Sequence, residues 1–458
     1  MRRRRPVPTS ERPDPSEPTV SSSPTESNPS WWRHGLLAIF VVAVGLRFAR
    51  VLADPPTAAE VLTPLSDSTD YDLLARQILA GLGWVGPEGD PTVIRPPLYP
   101  LFVALVYGVF GSGNLLAVAL VQGVLGGVGS ALTALVARRL GAPAWAGLAA
   151  GLVDAFYPVF VFQAGLILTE APHRPLQMGA VLMTLRLAED RRLWPAVACG
   201  VLWGLSALSR PVALVGMPAV VLWLGFIGRG DGWRVVLRSI AGVAVGAALL
   251  IGPWAGRNFV VSGRLIPVAA NFPVTAVHGA STHSVHANRW FAPEELIDFR
   301  EDRTILWHTQ LRAFRGPAEE LATQASYKKM WREYVAGNPA TFAELTLRRV
   351  GQFWSPFIEN KSRAARLAAL ISMSVMLVAG WLGFLVGIWS PRGTVAFRGA
   401  VLCLLVAASA TLPHALSLPD VRYRTAHVDA LWIALGAVAL AWLVGLRRPP
   451  EPLPPARP

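Results

Sequence analysis

Cysteine is nearly missing from this sequence. Cys199 and Cys403 are the only two in 458 residues, and both fall inside apolar runs, so a disulfide framework and a cysteine metal cluster are excluded. Charge is scarce as well. Only 16% of residues are Asp, Glu, Lys or Arg, where a soluble domain carries about a quarter. The basic excess, 42 against 29, gives a net charge of +13. It does not point to nucleic acid, because most arginines sit in short connections between apolar runs, where they set topology. What is abundant is apolar: 53% of the chain is hydrophobic and the mean hydropathy is +0.42. The pattern is that of an all-α polytopic membrane protein.

Ten apolar spans follow from the requirement of roughly 20 residues to cross the hydrocarbon. They fall at 35–53, 114–137, 144–164, 171–188, 193–209, 211–228, 235–254, 364–389, 399–417 and 427–446. Residues 193–228 are one nearly unbroken apolar stretch, too long for a single span, and should fold back at Ser209-Arg210-Pro211. The apolar segment 98–110 is too short to cross and reads as a helix lying at the outer surface.

Basic residues fall in every second connection: Arg2 to Arg5 and Arg33, Arg138 and Arg139, Arg191 and Arg192, Arg229, Arg234 and Arg238, Arg392 and Arg398, Arg447 and Arg448. This alternation puts both termini in the cytoplasm. The outer segments are then 54–113, the turns near Glu170 and Arg210, 255–363, and 418–426. Residues 1–34, rich in Arg, Pro and Ser, form a disordered cytoplasmic tail, and 447–458 a Pro-rich one. Within 255–363, Pro293-Glu294-Glu295 and Pro317-Ala318-Glu319-Glu320 read as helix starts. Phe342, Leu345, Leu347, Val350, Phe353 and Trp354 mark an amphipathic helix against the membrane. Gly123 and Gly127, and Gly147 and Gly151, have the spacing that lets helices approach closely.

The first outer loop concentrates chemistry. Asp67, Asp70, Asp72, Glu88 and Asp90 precede Arg95-Pro96-Pro97-Leu98-Tyr99-Pro100. Carboxylates take protons or hold a metal, and arginine neutralises phosphate. A short helix runs from Leu73 to Leu79, and Asp70 suits its cap; Asp67 has no such duty. Proline restricts the residue before it to extended backbone, so Arg95 can be presented rigidly, either to a ligand or as a snorkelling anchor. Glu170, at the outer end of two spans, is a helix cap or a functional carboxylate. Arg210, Arg257, Arg422 and Arg424 all fall on the outer side, against the positive-inside bias. Their convergence there suits an anionic ligand such as a lipid phosphate. His278, His283 and His286 match no metal spacing and read as a surface loop.

Together these pieces resemble the GT-C superfamily of polytopic glycosyltransferases, in particular bacterial relatives of protein O-mannosyltransferases and lipid A aminoarabinose transferases. The matching segments run from about residue 60 to 430: Asp67-x-x-Asp70-Tyr71, Gly81-x-Gly83-Trp84, Arg95 to Pro100, Leu168-Thr169-Glu170, Gly204 to Pro211, Pro253-Trp254-x-x-Arg257-Asn258, and Arg422-Tyr423-Arg424. The resemblance implies transfer of a monosaccharide from a polyprenyl-phosphate carrier to an extracytoplasmic acceptor. Asp67 is its essential carboxylate, Glu170 a second, and Asp70 a third candidate. Arg95, Tyr99, Arg210, Arg257, Arg422, Tyr423 and Arg424 form the lipid-phosphate and donor-binding set. A divalent metal between Asp67 and Glu170 is compatible with it. The resemblance makes 35–254 a catalytic module that includes loop 54–113, followed by an extracytoplasmic region 255–363 and further membrane helices over 364–446. One departure is Ala171-Pro172-His173-Arg174-Pro175 after Glu170, where relatives continue apolar. A transporter or flippase for lipid-linked sugars is the alternative, although no paired repeats or midplane charges stand out.

Overall fold

The structure, a computed structural model, describes residues 29–63, 66–228, 232–280, 308–357, 362–392 and 394–446. The described residues are mostly helical and include no strands, with one isolated bridge between Val85 and Pro91. The helices that matter are α1 (Ser30–Ala53), α2 (Asp67–Leu79), α3 (Leu98–Phe110), α4 (Leu115–Arg139), α5 (Ala144–Phe156), α6 (Glu170–Arg186), α7 (Leu193–Ser209) and α8 (Ala213–Ile227). They continue with α9 (Trp233–Ser262), α10 (Phe272–Gly279), α11 (Pro317–Gly337), α12 (Pro339–Phe353), α13 (Arg363–Trp389), α14 (Val395–Leu416), α15 (Val421–His427) and α16 (Asp429–Leu446).

This is a multi-pass membrane protein. Five helices, α1, α4, α9, α13 and α14, are long and apolar enough to cross a bilayer alone. The pair α15 and α16, bent by 61°, makes a sixth if it counts as one broken span. The other expected spans fall on α5, α6, α7 and α8, helices of 13 to 17 residues that are short of a full crossing by themselves. The expected span 144–164 is interrupted: Tyr157 is extended ahead of Pro158, which starts a separate helical turn. Helix α9 runs to Ser262, beyond the expected end at 254.

Helix α2 begins at Asp67, six residues before the expected start at Leu73. Ser66 is its cap, accepting the Ser68 N–H, so Asp70 is not. Helix α11 starts at Pro317 and α12 carries Leu345 and Phe353 buried, as their sequences indicate; Leu347 stays exposed. Pro293-Glu294-Glu295, His283 and His286 lie outside the described residues. His278 sits on α10.

Helix α6 is the unusual element. Its first half carries Glu170, His173, Arg174 and Gln177, all buried. It packs against α4 on one side and α7 on the other. Polar side chains so placed need partners, because burying an unpaired one is costly. Close approach of α4 to its neighbours is set by glycine: a methyl on Gly127 would strike Val44 and Phe40 of α1, and one on Gly151 of α5 would meet Ala134 and Ser130 of α4.

The region after α9 folds back onto this bundle. Helix α10 packs on α11 through Val274, Val277 and Tyr327. Arg349 of α12 donates to the carbonyls of Gly279 and Ala415, tying that region to α14.

Candidate active site

Arg95 is the hub of a cluster drawn from four distant parts of the chain. Its Nη1 lies 2.9 Å from Asp67 Oδ1. Its Nε and Nη2 donate to Asp70 Oδ2 at 2.9 and 2.7 Å. Nη2 also donates to the Thr309 carbonyl at 2.9 Å. Asp67 and Asp70 are three residues apart on α2, which brings both to one face. The backbone ahead of Arg95 is steadied from behind: buried Glu320 of α11 accepts from Thr92 Oγ1 at 2.5 Å and from the Val93 N–H at 2.8 Å.

From Asp67 the cluster continues to Arg422, whose Nη2 lies 3.6 Å from Asp67 Oδ2. Arg422 Nε lies 3.0 Å from Glu170 Oε1, and Arg210 Nη1 is 3.0 Å from the same oxygen. Arg210 also donates to Thr169 Oγ1 at 2.9 Å. Glu170 Oε1 and Arg422 Nε are both buried, and neither makes a hydrogen bond of proper direction. Their proximity is coulombic only. Three carboxylates thus meet three guanidiniums, and the two stretches around 67–95 and 422 are in contact.

Exposure decides where this cluster opens. The side chains of Asp67 and Arg422 are 29% and 31% exposed, against 1% for Asp70 and 4% for Glu170. A ligand therefore meets Asp67 and Arg422 first. The protonation states differ accordingly. Burial pushes the Asp67 carboxyl up, but Arg95 and Arg422, with Arg210 behind them, outweigh it and hold its pKa below the ordinary value. At Asp70 burial wins over Arg95 and its pKa is raised. Burial also works against the charge of Arg95, and Asp67 and Asp70 overcome it and raise its pKa further. Asp70 holds Arg95 and takes the Leu311 N–H at 3.2 Å, which brings the segment around residue 311 over the pair.

Tyr423 belongs to the cluster. Its ring lies under both Arg210 and Arg422, at 5.2 and 5.3 Å, and stacks on His414 at 4.4 Å. Tyr99 is fully buried one layer down. Its hydroxyl donates to Gln122 at 2.7 Å, and its ring meets the edge of Tyr71, which lies beneath Arg95.

Two expected ligand arginines are elsewhere. Arg257 donates to the carbonyls of Thr92 at 2.6 Å and Trp84 at 2.8 Å, clamping the loop ahead of Arg95. Arg424 is fully buried, donating to Asp429 at 2.8 Å and to the Ser355 carbonyl at 2.6 Å. The reason is helical geometry: two residues apart on α15 means about 200° of rotation, so Arg422 and Arg424 point to opposite sides. Asp429 also accepts from Tyr157 at 2.9 Å, and Thr425 from Gln163 at 2.7 Å, so α15 is locked while Arg422 is presented. Arg210 is presented differently. It is extended ahead of Pro211, the turn that ends α7.

Asp67 and Glu170 fit a metal poorly. Both are already paired with arginine, and among the described residues no group of three or more His, Cys, Asp or Glu is gathered to bind one.

A second charged cluster escapes a reading by outer loops. Asp154 of α5 accepts from Arg174 Nη1 at 2.5 Å, Ser130 at 2.6 Å and Thr133 at 2.8 Å, with Arg47 Nη2 4.0 Å away. Its signal in the sequence is a charge inside each of three expected spans. His173 turns the other way, to Gln177 at 2.8 Å and His427 at 2.9 Å. These contacts account for the departure after Glu170.

Comparison with known proteins agrees with this architecture. Residues 94–255, less than half of the chain, match the family described as dolichyl-phosphate-mannose-protein mannosyltransferase. The structure superposes on the Archaeoglobus fulgidus oligosaccharyltransferase tethered to an acceptor peptide, with a TM-score of 0.58 and 15% identity, over 92% of this chain and 50% of that one. It superposes likewise on the same organism's enzyme in complex with an inhibitory peptide and a dolichol-phosphate, with a TM-score of 0.55 and 14% identity, over 91% of this chain and 54% of that one. The chain has the GT-C fold. It spans about half the length of the oligosaccharyltransferase. The Cupriavidus metallidurans enzyme ArnT, bound to undecaprenyl phosphate, aligns more loosely, with a TM-score of 0.42 and 16% identity over 91% of this chain and 81% of that one. No curated protein matches by sequence.

Proposed function

We propose that this GT-C protein transfers a monosaccharide from a polyprenyl-phosphate donor to a hydroxyl on an extracytoplasmic acceptor, a lipid, protein or envelope glycan, by one inverting displacement. The observation that carries this reading is the Arg422–Glu170 contact: two buried, charged atoms 3.0 Å apart without a directed hydrogen bond, beside part-exposed Asp67. A phosphate oxygen docking there gives Arg422 Nε an acceptor and adds the strongest kind of pairing available to it.

In the displacement, the acceptor oxygen forms a bond to the anomeric carbon as the bond from that carbon to the phosphate oxygen breaks. The electron pair stays on the phosphate, where Arg422 and Arg210 stabilise the charge; such stabilisation is often the largest catalytic contribution. The hydroxyl proton passes to Asp67. Because arginines keep Asp67 ionised, it is a weak base. Its main contribution is to orient the hydroxyl and to balance the positive field, with proton acceptance late in the step. Arg95 fixes Asp67 in place. Glu170 holds Arg210 and Arg422 together in the absence of donor.

The N- and C-termini are cytoplasmic in this proposal and the cluster faces out of the cell at the plasma membrane. The test is direct. Purified protein is given a panel of synthetic polyprenyl-phosphate monosaccharides with envelope extract as acceptor, and release of polyprenyl phosphate is measured. Consumption of one donor with sugar appearing on an extract component is expected. If every donor survives intact while the protein remains folded, the reading fails.

A further inference from the structure

Between Glu170 and the Arg47–Arg174 pair lies a small cavity of about 10 Å³. Its polar lining is Arg47, Gln122, Gln163, Glu170 and Arg174. That volume is about what one water molecule needs, and a buried water persists where it finds two to four polar partners. One lining residue carries a buried nitrogen without a hydrogen bond, Arg47 Nη2, while Glu170 presents its carboxylate to the cavity with Oε1 already 3.0 Å from Arg210 and Arg422. Arg47 itself is 1% exposed, so bulk water does not solvate it.

The charges around the cavity do not cancel on the inner side. Arg47 and Arg174 share a single carboxylate, Asp154, which pairs closely with Arg174 and stands 4.0 Å from Arg47. One positive charge is left over, and Glu170 is the anion across the cavity. The arrangement is built into the backbone. Gly126 and Gly129 of α4 leave room for the two guanidiniums: a methyl on Gly126 would collide with Arg47 Nε, and one on Gly129 would lie 2.9 Å from Arg174 Cζ. Arg47 also donates to the Ala43 carbonyl at 3.0 Å, which turns it inward from α1. An arginine so placed on an apolar span is expensive unless it serves a purpose.

We infer that Arg47 is a positioning residue for Glu170, acting across one water held in this cavity, so that the first membrane helix is part of the catalytic apparatus. Glu170 is then gripped from both sides: by Arg210 and Arg422 in front, by Arg47 and the water behind. This rests on the proposed glycosyl transfer for its activity readout but not for the water.

Three substitutions and a density map test it. With Arg47→Met, kcat for sugar transfer falls roughly 10-fold while KM for the donor changes less than about two-fold, because Arg422 and Arg210 still bind the phosphate and Glu170 loses alignment. Arg47→Lys, which keeps the charge, restores most of the rate. Gly126→Ala leaves every charge in place but displaces Arg47, and gives a loss like that of Arg47→Met. An experimental density map of the wild-type protein shows a single peak in the cavity. A folded Arg47→Met protein with wild-type kcat overturns the inference, and so does an empty cavity in a map that resolves other buried waters. If Arg47→Met does not fold, the lysine variant and the map decide. A wild-type protein that transfers no sugar refutes the function instead, and the map still judges the water.

Discussion

The molecule uses arginine and carboxylate twice, to opposite ends. The outer cluster sets Asp67, Asp70 and Glu170 against Arg95, Arg210 and Arg422, with its charges matched and with Asp67 and Arg422 partly exposed. The inner cluster sets Asp154 against Arg47 and Arg174, closed in by α1, α4, α5 and α6 and one positive charge in excess. Depth makes the difference. A pair open to solvent can be rearranged by an incoming anion, whereas a pair in the interior resists change because either partner left alone is heavily penalised. The outer cluster is suited to chemistry and the inner one to holding the helices that deliver it.

Substitutions sharpen that contrast. The largest effect is expected at Arg95, which joins the two kinds of role. Arg95→Met strands the buried Asp70 carboxylate, so transfer falls by about 10³ or more and stability drops by about 3–5 kcal/mol, read by thermal melting in detergent. Asp154→Asn is next. It removes the one carboxylate that Arg47 and Arg174 share, lowering stability by a similar roughly 3–5 kcal/mol. Transfer per folded molecule falls less than with Arg95→Met. An inner-cluster variant that melted like wild type would erase the distinction.

Arg422→Met comes third. Transfer falls about 10²-fold through lost phosphate stabilisation, and pH dependence changes as well. In the wild type the folded-state pKa of Asp67 is depressed, so the stability it contributes is present above its unfolded value of about 3.9 and is lost as pH falls through the lower folded value. Removing Arg422 weakens that depression. The acid limb of the rate profile therefore moves to higher pH, measured by transfer assays from pH 3 upward. An unmoved limb would show that Asp67 does not govern it. The smallest effect is expected at Arg257, which clamps backbone and does not face the opening. Arg257→Met changes transfer by only a few-fold, without a change in the acid limb.

Much of this was legible in the sequence where signals are local. Helix α7 begins after a basic residue and ends ahead of Arg210-Pro211, the bounds that its sequence indicates. The segment with Asp67 and Arg95 was legible because carboxylates, an arginine and paired prolines sit close together in the chain. The start of α2 was missed because Ser66 outcompetes Asp70 as cap and the helix extends back through Asp67. Arg424 was grouped with Arg422 by adjacency, yet helical rotation sends it to Asp429. The inner cluster left only a scattered signal, one charge in each of three expected spans. Arg47, Asp154 and Arg174 belong to three different spans, and each alone reads as an isolated charge in an apolar run.

Asp67 stands at the mouth of the outer cluster, and the proposed transfer turns on it. Its most direct test is mass spectrometry of lipid carriers and envelope glycans from cells carrying either the wild-type protein or Asp67→Asn at equal folded abundance. The account predicts that the variant cells accumulate one polyprenyl-phosphate sugar and lose one glycosylated envelope product. Identical carrier and glycan profiles in the two strains, with the product present in both, would contradict it.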